Sequence, residues 1–135
     1  MNEPIEGGCL CGAIRYSIVA DAIETACCHC QQCQRSTGSP VVNWVNFPRD
    51  AFRYTAGSPD VFASSDKARR EHCSRCGTQL VFRSLVNTDT IDVTVNSLDN
   101  PEQFPPDYHI WFDERVSWLN YDDGLPRYAG DAPDD

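Results

Sequence analysis

Residues 73–77 read CSRCG, two thiols separated by two residues and followed by a glycine. A C-x-x-C-G turn lets two thiolates face one ion while the glycine accepts the positive φ of a metal knuckle, so this stretch supplies half of a tetrahedral site. The chain has eight cysteines from which the other half can come. Cys9-Leu10-Cys11-Gly12 is a tighter pair that also ends in glycine, and it lies far away in sequence, as the two halves of a structural zinc site commonly do. Together Cys9, Cys11, Cys73 and Cys76 make a four-thiolate site that staples the N-terminal strand to the middle of the chain, so that metal-binding energy becomes folding energy. The alternative, that Cys9 and Cys11 are small buried apolar residues, is weaker because both sit beside glycines at a turn.

A second group lies in CCHCQQC, residues 27–33. If the chain is extended around Cys27 and Cys28, their side chains face opposite sides, and only one can join Cys30 two positions on. Alternation selects Cys28 and leaves Cys27 a buried or spare thiol. Cys28, Cys30 and Cys33 then form a three-thiolate site with one coordination position open to water or substrate, which is what separates catalytic from structural zinc. His29 falls on the opposite side of the extended segment and reads as a supporting or packing histidine. His72 precedes a ligand and packs or hydrogen-bonds, and His109 in YHIWF reads as core or pocket wall. Trp44, Trp111 and Trp118 read as core. No Ser-His-Asp order, phosphate loop or dinucleotide fingerprint is present.

The composition narrows the partners. The net charge of -9, from 20 acidic against 11 basic residues, repels polyanions and excludes nucleic acid. The opening MNEPIEGGCLCGAIRY has no basic segment followed by an apolar run, and no stretch is long and apolar enough to cross a membrane. A soluble, unexported, cytoplasmic protein is expected, and in that reducing compartment metal binding explains the thiols better than a disulfide framework. The 135 residues suit one zinc-binding domain over 1–128 with an acidic C-terminal tail over 129–135.

Element signals are short and regularly punctuated. AIRYSIVA (13–20) predicts a half-buried strand, followed by a turn or connection to Cys27. QQCQRSTG (31–38) predicts a short helix closed by Gly38. The runs VVNWVNFP, AFRYTAG, VFASS, QLVFRS and IDVTVNSL are β-prone and separated by Pro, Gly, Asp and Asn, predicting an antiparallel all-β domain with little helix. Residues 98–112 predict an ordered, proline-rich loop until HIWF resumes a strand, and the run from Lys67 to Arg70 reads as a solvated turn.

The segments GGCLCGAIRY, CHCQQC followed by RSTGSP, CSRCGTQL, NSLDNP and HIW, with Trp118 and Leu125-Pro126 downstream, resemble the glutathione-dependent formaldehyde-activating enzyme family, also called the centromere protein V-like group. The resemblance runs from about residue 7 to about residue 128. It implies an all-β Mss4-like fold with two zinc ions, a structural one on Cys9, Cys11, Cys73 and Cys76 and a catalytic one on Cys28, Cys30 and Cys33. It also implies a carbon–sulfur lyase-type activity, the addition of the glutathione thiol to formaldehyde to give S-(hydroxymethyl)glutathione. The chain departs from the family in having Gln34 where a basic residue often follows the last catalytic cysteine, and His72 where an aromatic often precedes the C-x-x-C pair. Glutathione is an anion, so an acidic chain needs local cations to bind it; Arg35 is the candidate, with Lys67, Arg69, Arg70 and Arg75 behind it. Two other functions are compatible with these residues, a zinc-stabilised binding module and an enzyme acting on another thiol adduct. A module would close the second site, whereas an enzyme would leave it exchangeable.

Overall fold

The computed structural model describes residues 3–133. Its strands are β1 (Ile5–Gly8), β2 (Arg15–Ile18), β3 (Glu24–Cys28), β4 (Val42–Pro48), β5 (Phe52–Ala56), β6 (Asp60–Ser65), β7 (Ala68–His72), β8 (Gln79–Ser84), β9 (Thr90–Thr94) and β10 (Tyr108–Ile110), and a single α-helix, α1, spans Gln31–Thr37. The fold is all-β. One sheet has the order β1-β2-β5 and the other β10-β3-β4-β9-β8-β7-β6.

Period-two patterning decides which face of the large sheet is buried. In β4, Val45 and Phe47 point to the core, and they pair with Val93 and Ile91 of β9, with Val81 of β8 opposite Val93. All five are almost fully buried and pack against Tyr16 and Ile18 of the small sheet. The β-branched and aromatic residues of these strands fill the space between two sheets, which is what makes such short runs stable. The alternate residues, Trp44 and Asn46 of β4, Asp92 of β9 and Phe82 of β8, occupy the opposite face.

The structure departs from the sequence-based expectations at several places. One ladder is parallel: β10 runs alongside β3 and pairs His109 with Cys27, while the other strand pairs are antiparallel as expected. Residues 68–72 are a strand with Arg70 only 4% exposed, so the expectation of a solvated turn through Arg70 does not hold. The connection before Cys27 is already strand from Glu24. The strand begun at Tyr108 stops at Ile110 because Trp111 adopts a left-handed φ of 52°, and residues 112–114 form a 3-10 turn. Trp111 and Trp118 are exposed rather than core. In the expected acidic tail, Gly130 O accepts from Trp111 N at 2.9 Å and Asp131 Oδ1 accepts from Trp111 Nε1 at 3.1 Å, while its residues 134–135 lie outside the described residues. Among the described residues no helix is long and apolar enough to cross a membrane.

Candidate functional site

The first sulfur group joins two turns of like design. Gly12 N donates to Cys9 O at 3.1 Å, and Gly77 N donates to Cys73 O at 2.9 Å. Both glycines are left-handed, with φ of 80° and 81°, a geometry that costs a residue bearing Cβ about 1–2 kcal/mol. Each loop thereby folds back until its two thiols face one point. The Sγ atoms of Cys9, Cys11, Cys73 and Cys76 lie within 4.8 Å of one another, with Cys9 to Cys11 at 3.6 Å and Cys11 to Cys73 at 3.8 Å. Four sulfurs placed tetrahedrally around an ion at the usual zinc–sulfur distance would be about 3.8 Å apart. The group therefore fits one tetrahedral ion, and no disulfide links its members. Backbone dipoles support the thiolates: Ile14 N donates to Cys9 Sγ at 3.2 Å, and Arg75 N and Cys76 N each donate to Cys73 Sγ at 3.4 Å.

The second group lies where β3 meets α1. Cys28 ends the strand, Cys30 caps the helix by accepting from Cys33 N at 3.3 Å, and Cys33 is the buried residue of the first helical turn. Gly38 closes the helix in the left-handed conformation. The Sγ atoms of Cys28, Cys30 and Cys33 lie within 4.8 Å of one another, Cys28 to Cys33 being 3.4 Å. Crowding separates the three thiols: hydrogen bonds from Cys28 and Cys30, followed by the Arg70 guanidinium, hold Cys33 far below the ordinary thiol range, while Cys30 and then Cys33 push Cys28 up. Cys27 is outside the group and buried, and burial, then the Asp123 charge, pushes its thiol up to about 11.

His29 is committed elsewhere. Its Nε2 lies 2.9 Å from His109 Nδ1, and His109 Nε2 lies 2.8 Å from Asp123 Oδ2. An ionised carboxylate only accepts, so His109 carries its proton on Nε2 and accepts at Nδ1 from the His29 Nε2–H. His29 Nδ1 is left without a hydrogen-bond partner, and both rings are fully buried. Burial, then the neighbouring His109, holds His29 down to about 4, so the His29 ring is neutral at pH 7. Neither His109 nor Asp123 was recognisable as its partner from sequence, because both lie about eighty or more positions away.

The sheet face opposite the core forms a cleft of about 900 Å³, and Cys28, Cys30 and Cys33 line it together with Trp44, Phe82 and Tyr108. Lys67 and Arg70 bring positive charge to this cleft; Glu24 and Asp92 bring negative charge. Arg35 is exposed in the last turn of α1 and does not line it. Gln34, which stands where a basic residue is often found, donates through Nε2 to His29 O at 2.7 Å and Glu114 O at 3.1 Å, pinning the helix to the 3-10 turn after β10. Arg70 is the contact that local sequence pattern missed: Nη1 and Nη2 approach Cys33 Sγ at 3.7 and 3.6 Å. The one available signal was the alternation of ARREH, which places Arg70 on the face of Ala68.

Comparison with known proteins adds three findings. The sequence model of the family described as glutathione-dependent formaldehyde-activating enzyme matches residues 4–114. An uncharacterized lyase of Schizosaccharomyces pombe (strain 972 / ATCC 24843) is 35% identical over 85 residues, and the match spans 57% of this chain and 56% of the relative, little more than half its length. A crystal structure of a Rhodobacter sphaeroides protein superimposes with a TM-score of 0.57 at 16% identity over 91% of this chain and 98% of the other, a likeness of fold.

Proposed function

Because the chain belongs to the glutathione-dependent formaldehyde-activating enzyme family, we propose that it is a zinc-dependent enzyme of carbon–sulfur lyase type that adds the thiol of glutathione to formaldehyde at Cys28, Cys30 and Cys33. The observation that carries this reading is the unequal size of the two sulfur groups. Four thiols converge in one, but only three in the other, whose nearest extra candidates, Cys27 and His29, lie outside the group or are engaged with His109. Cys9, Cys11, Cys73 and Cys76 would hold a closed structural ion. A zinc ion on the three-thiol group would offer a fourth position at which a substrate thiol is held as thiolate.

The chain's own residues do the rest. Trp44, Phe82 and Tyr108 give the cleft aromatic walls against which the apolar parts of a substrate can pack. Lys67 in the cleft and Arg35 on the exposed side of α1 are the cations offered to the carboxylates of glutathione. In the net reaction the thiol S–H bond breaks, a sulfur–carbon bond forms to the aldehyde carbon, and the proton ends on the former carbonyl oxygen; no electrons are exchanged with another reactant. Three thiolates outweigh the charge of a divalent ion, which favours positioning the thiol over strong activation of the carbonyl. The eight unbridged thiols suit a cytoplasmic setting.

The test follows exchange between free and hydroxymethylated glutathione by NMR. Protein carrying two zinc ions accelerates the exchange, and Cys33→Ser returns it to the uncatalysed rate while keeping one zinc per chain. Fully loaded wild type that leaves the rate unchanged would overturn the reading. A second reading, the same chemistry on a different thiol, is favoured by the acids Glu24, Asp92, Glu114 and Asp131 in the cleft, which suit a less acidic substrate than glutathione; competition between glutathione and aminothiols in the same assay separates the two.

A further inference from the structure

Arg70 is a buried cation without a carboxylate. It is 4% exposed, its Cζ lies 5.1 Å from the centroid of the Phe82 ring, and no ion pair among the described residues includes it. Its Nη1 reaches Ser36 Oγ at 3.3 Å, both Nη atoms converge on Cys33 Sγ, and its Nε has no hydrogen-bond partner. A guanidinium withdrawn from water is costly unless an anion answers it. The anion within reach is the sulfur of Cys33.

The two sulfur groups are supported differently. Backbone N–H dipoles serve Cys9 and Cys73, whereas a full positive charge serves Cys33. A divalent ion with three thiolates has a net charge of minus one, and a fourth, substrate thiolate makes it minus two, which a low-dielectric cleft penalises. The guanidinium restores minus one. Its β7 register opposite Phe82 fixes it on the cleft face, and the aromatic contact keeps it aimed at Cys33.

We propose that Arg70 is a positioning residue of the three-thiol group that enables it to accept an anionic sulfur as fourth ligand, so that substrates which bind as thiolates are preferred over neutral ligands. This rests on the reading of Cys28, Cys30 and Cys33 as an open metal centre.

The experiment uses full-length protein loaded with cobalt(II), whose visible spectrum reports coordination, titrated with 2-mercaptoethanol and separately with imidazole. The four-thiol group is saturated, so ligand-dependent spectral change belongs to the three-thiol group, and the unchanging part certifies that each variant is folded. In Arg70→Met the Kd for the thiol should rise roughly ten- to a hundredfold, as expected for loss of a charged hydrogen bond, with the Kd for imidazole within about threefold of wild type. Arg70→Lys, which keeps the charge and loses the fork, should recover most of the thiol affinity. Equal weakening of thiol and imidazole, or no weakening, in folded Arg70→Met, or a folded Arg70→Lys as weak for the thiol as Arg70→Met, would overturn the proposal and leave the metal centre standing. Wild type that takes up cobalt only at the four-thiol group would overturn the centre and the proposal together.

Discussion

Asp92 shows how the cleft face shapes the chemistry of a single residue. It lies in β9, accepts from Asn46 Nδ2 at 2.9 Å and pairs across the sheet with Phe82, and its burial raises its carboxyl from 3.8 to about 6. A raised acid favours the native state while it is protonated: its contribution is fully present below the unfolded value near 4 and is lost as pH rises through about 6. At pH 7.5 the ionised carboxylate is therefore a burden. Asp92→Asn keeps an oxygen for Asn46 and removes the charge, so it should stabilise the protein at pH 7.5 by roughly 1–2 kcal/mol, with the gain shrinking toward pH 5. Thermal melts of both proteins across that range check the sign; a gap independent of pH, or a less stable Asn variant at pH 7.5, would contradict it. The same protein holds His29 and Asp123 on opposite sides of His109, so charge on this fold is tuned by partners distant in sequence.

At the scale of elements, β1 depends on close approach. A Cβ built on Gly7 would stand 2.4 Å from Tyr16 Oη and 2.5 Å from Ser97 O, where the Tyr16 hydroxyl and Ser97 Oγ share a buried hydrogen bond of 2.6 Å. Gly7→Ala must push the Tyr16 ring or β1 aside, and about 2–3 kcal/mol of stability should be lost in urea unfolding of the metal-loaded protein. An unchanged midpoint would show that β1 shifts freely. Strands rich in β-branched and aromatic residues, such as VNWVNFP, were legible because their own side chains fill the core. The strand ARREH was not, because its burial depends on remote partners: Glu71 accepts from Arg83 Nε at 2.5 Å and from Tyr54 Oη at 2.6 Å, and Arg70 meets Cys33. The parallel pairing of β10 with β3 was equally hidden, since a local pattern carries no record of which strand will lie beside it. The grouping of the sulfurs was legible. Spacing and alternation suffice to separate Cys28 from Cys27, whereas the choice of Arg70 over Arg35 at the cleft needed the register of β7.

At the scale of the molecule, two sheets enclose one core and leave one face open, and the two sulfur groups have separate mechanical roles. The four-thiol group brings the turn after β1 to the turn before β8, so an ion held there would fix the small sheet to the large one across a long stretch of chain. The three-thiol group joins only β3 to α1, at the edge of the cleft, so in the proposed reading a ligand would come and go there without unfastening the sheets. That division of labour, one closed centre for the fold and one open centre for a thiol, is tested most directly by calorimetric titration of glutathione into protein carrying two zinc ions, beside Cys30→Ser carrying one. Saturable binding of one glutathione per chain that the variant loses is the expected result; no binding to the fully loaded wild type would contradict it.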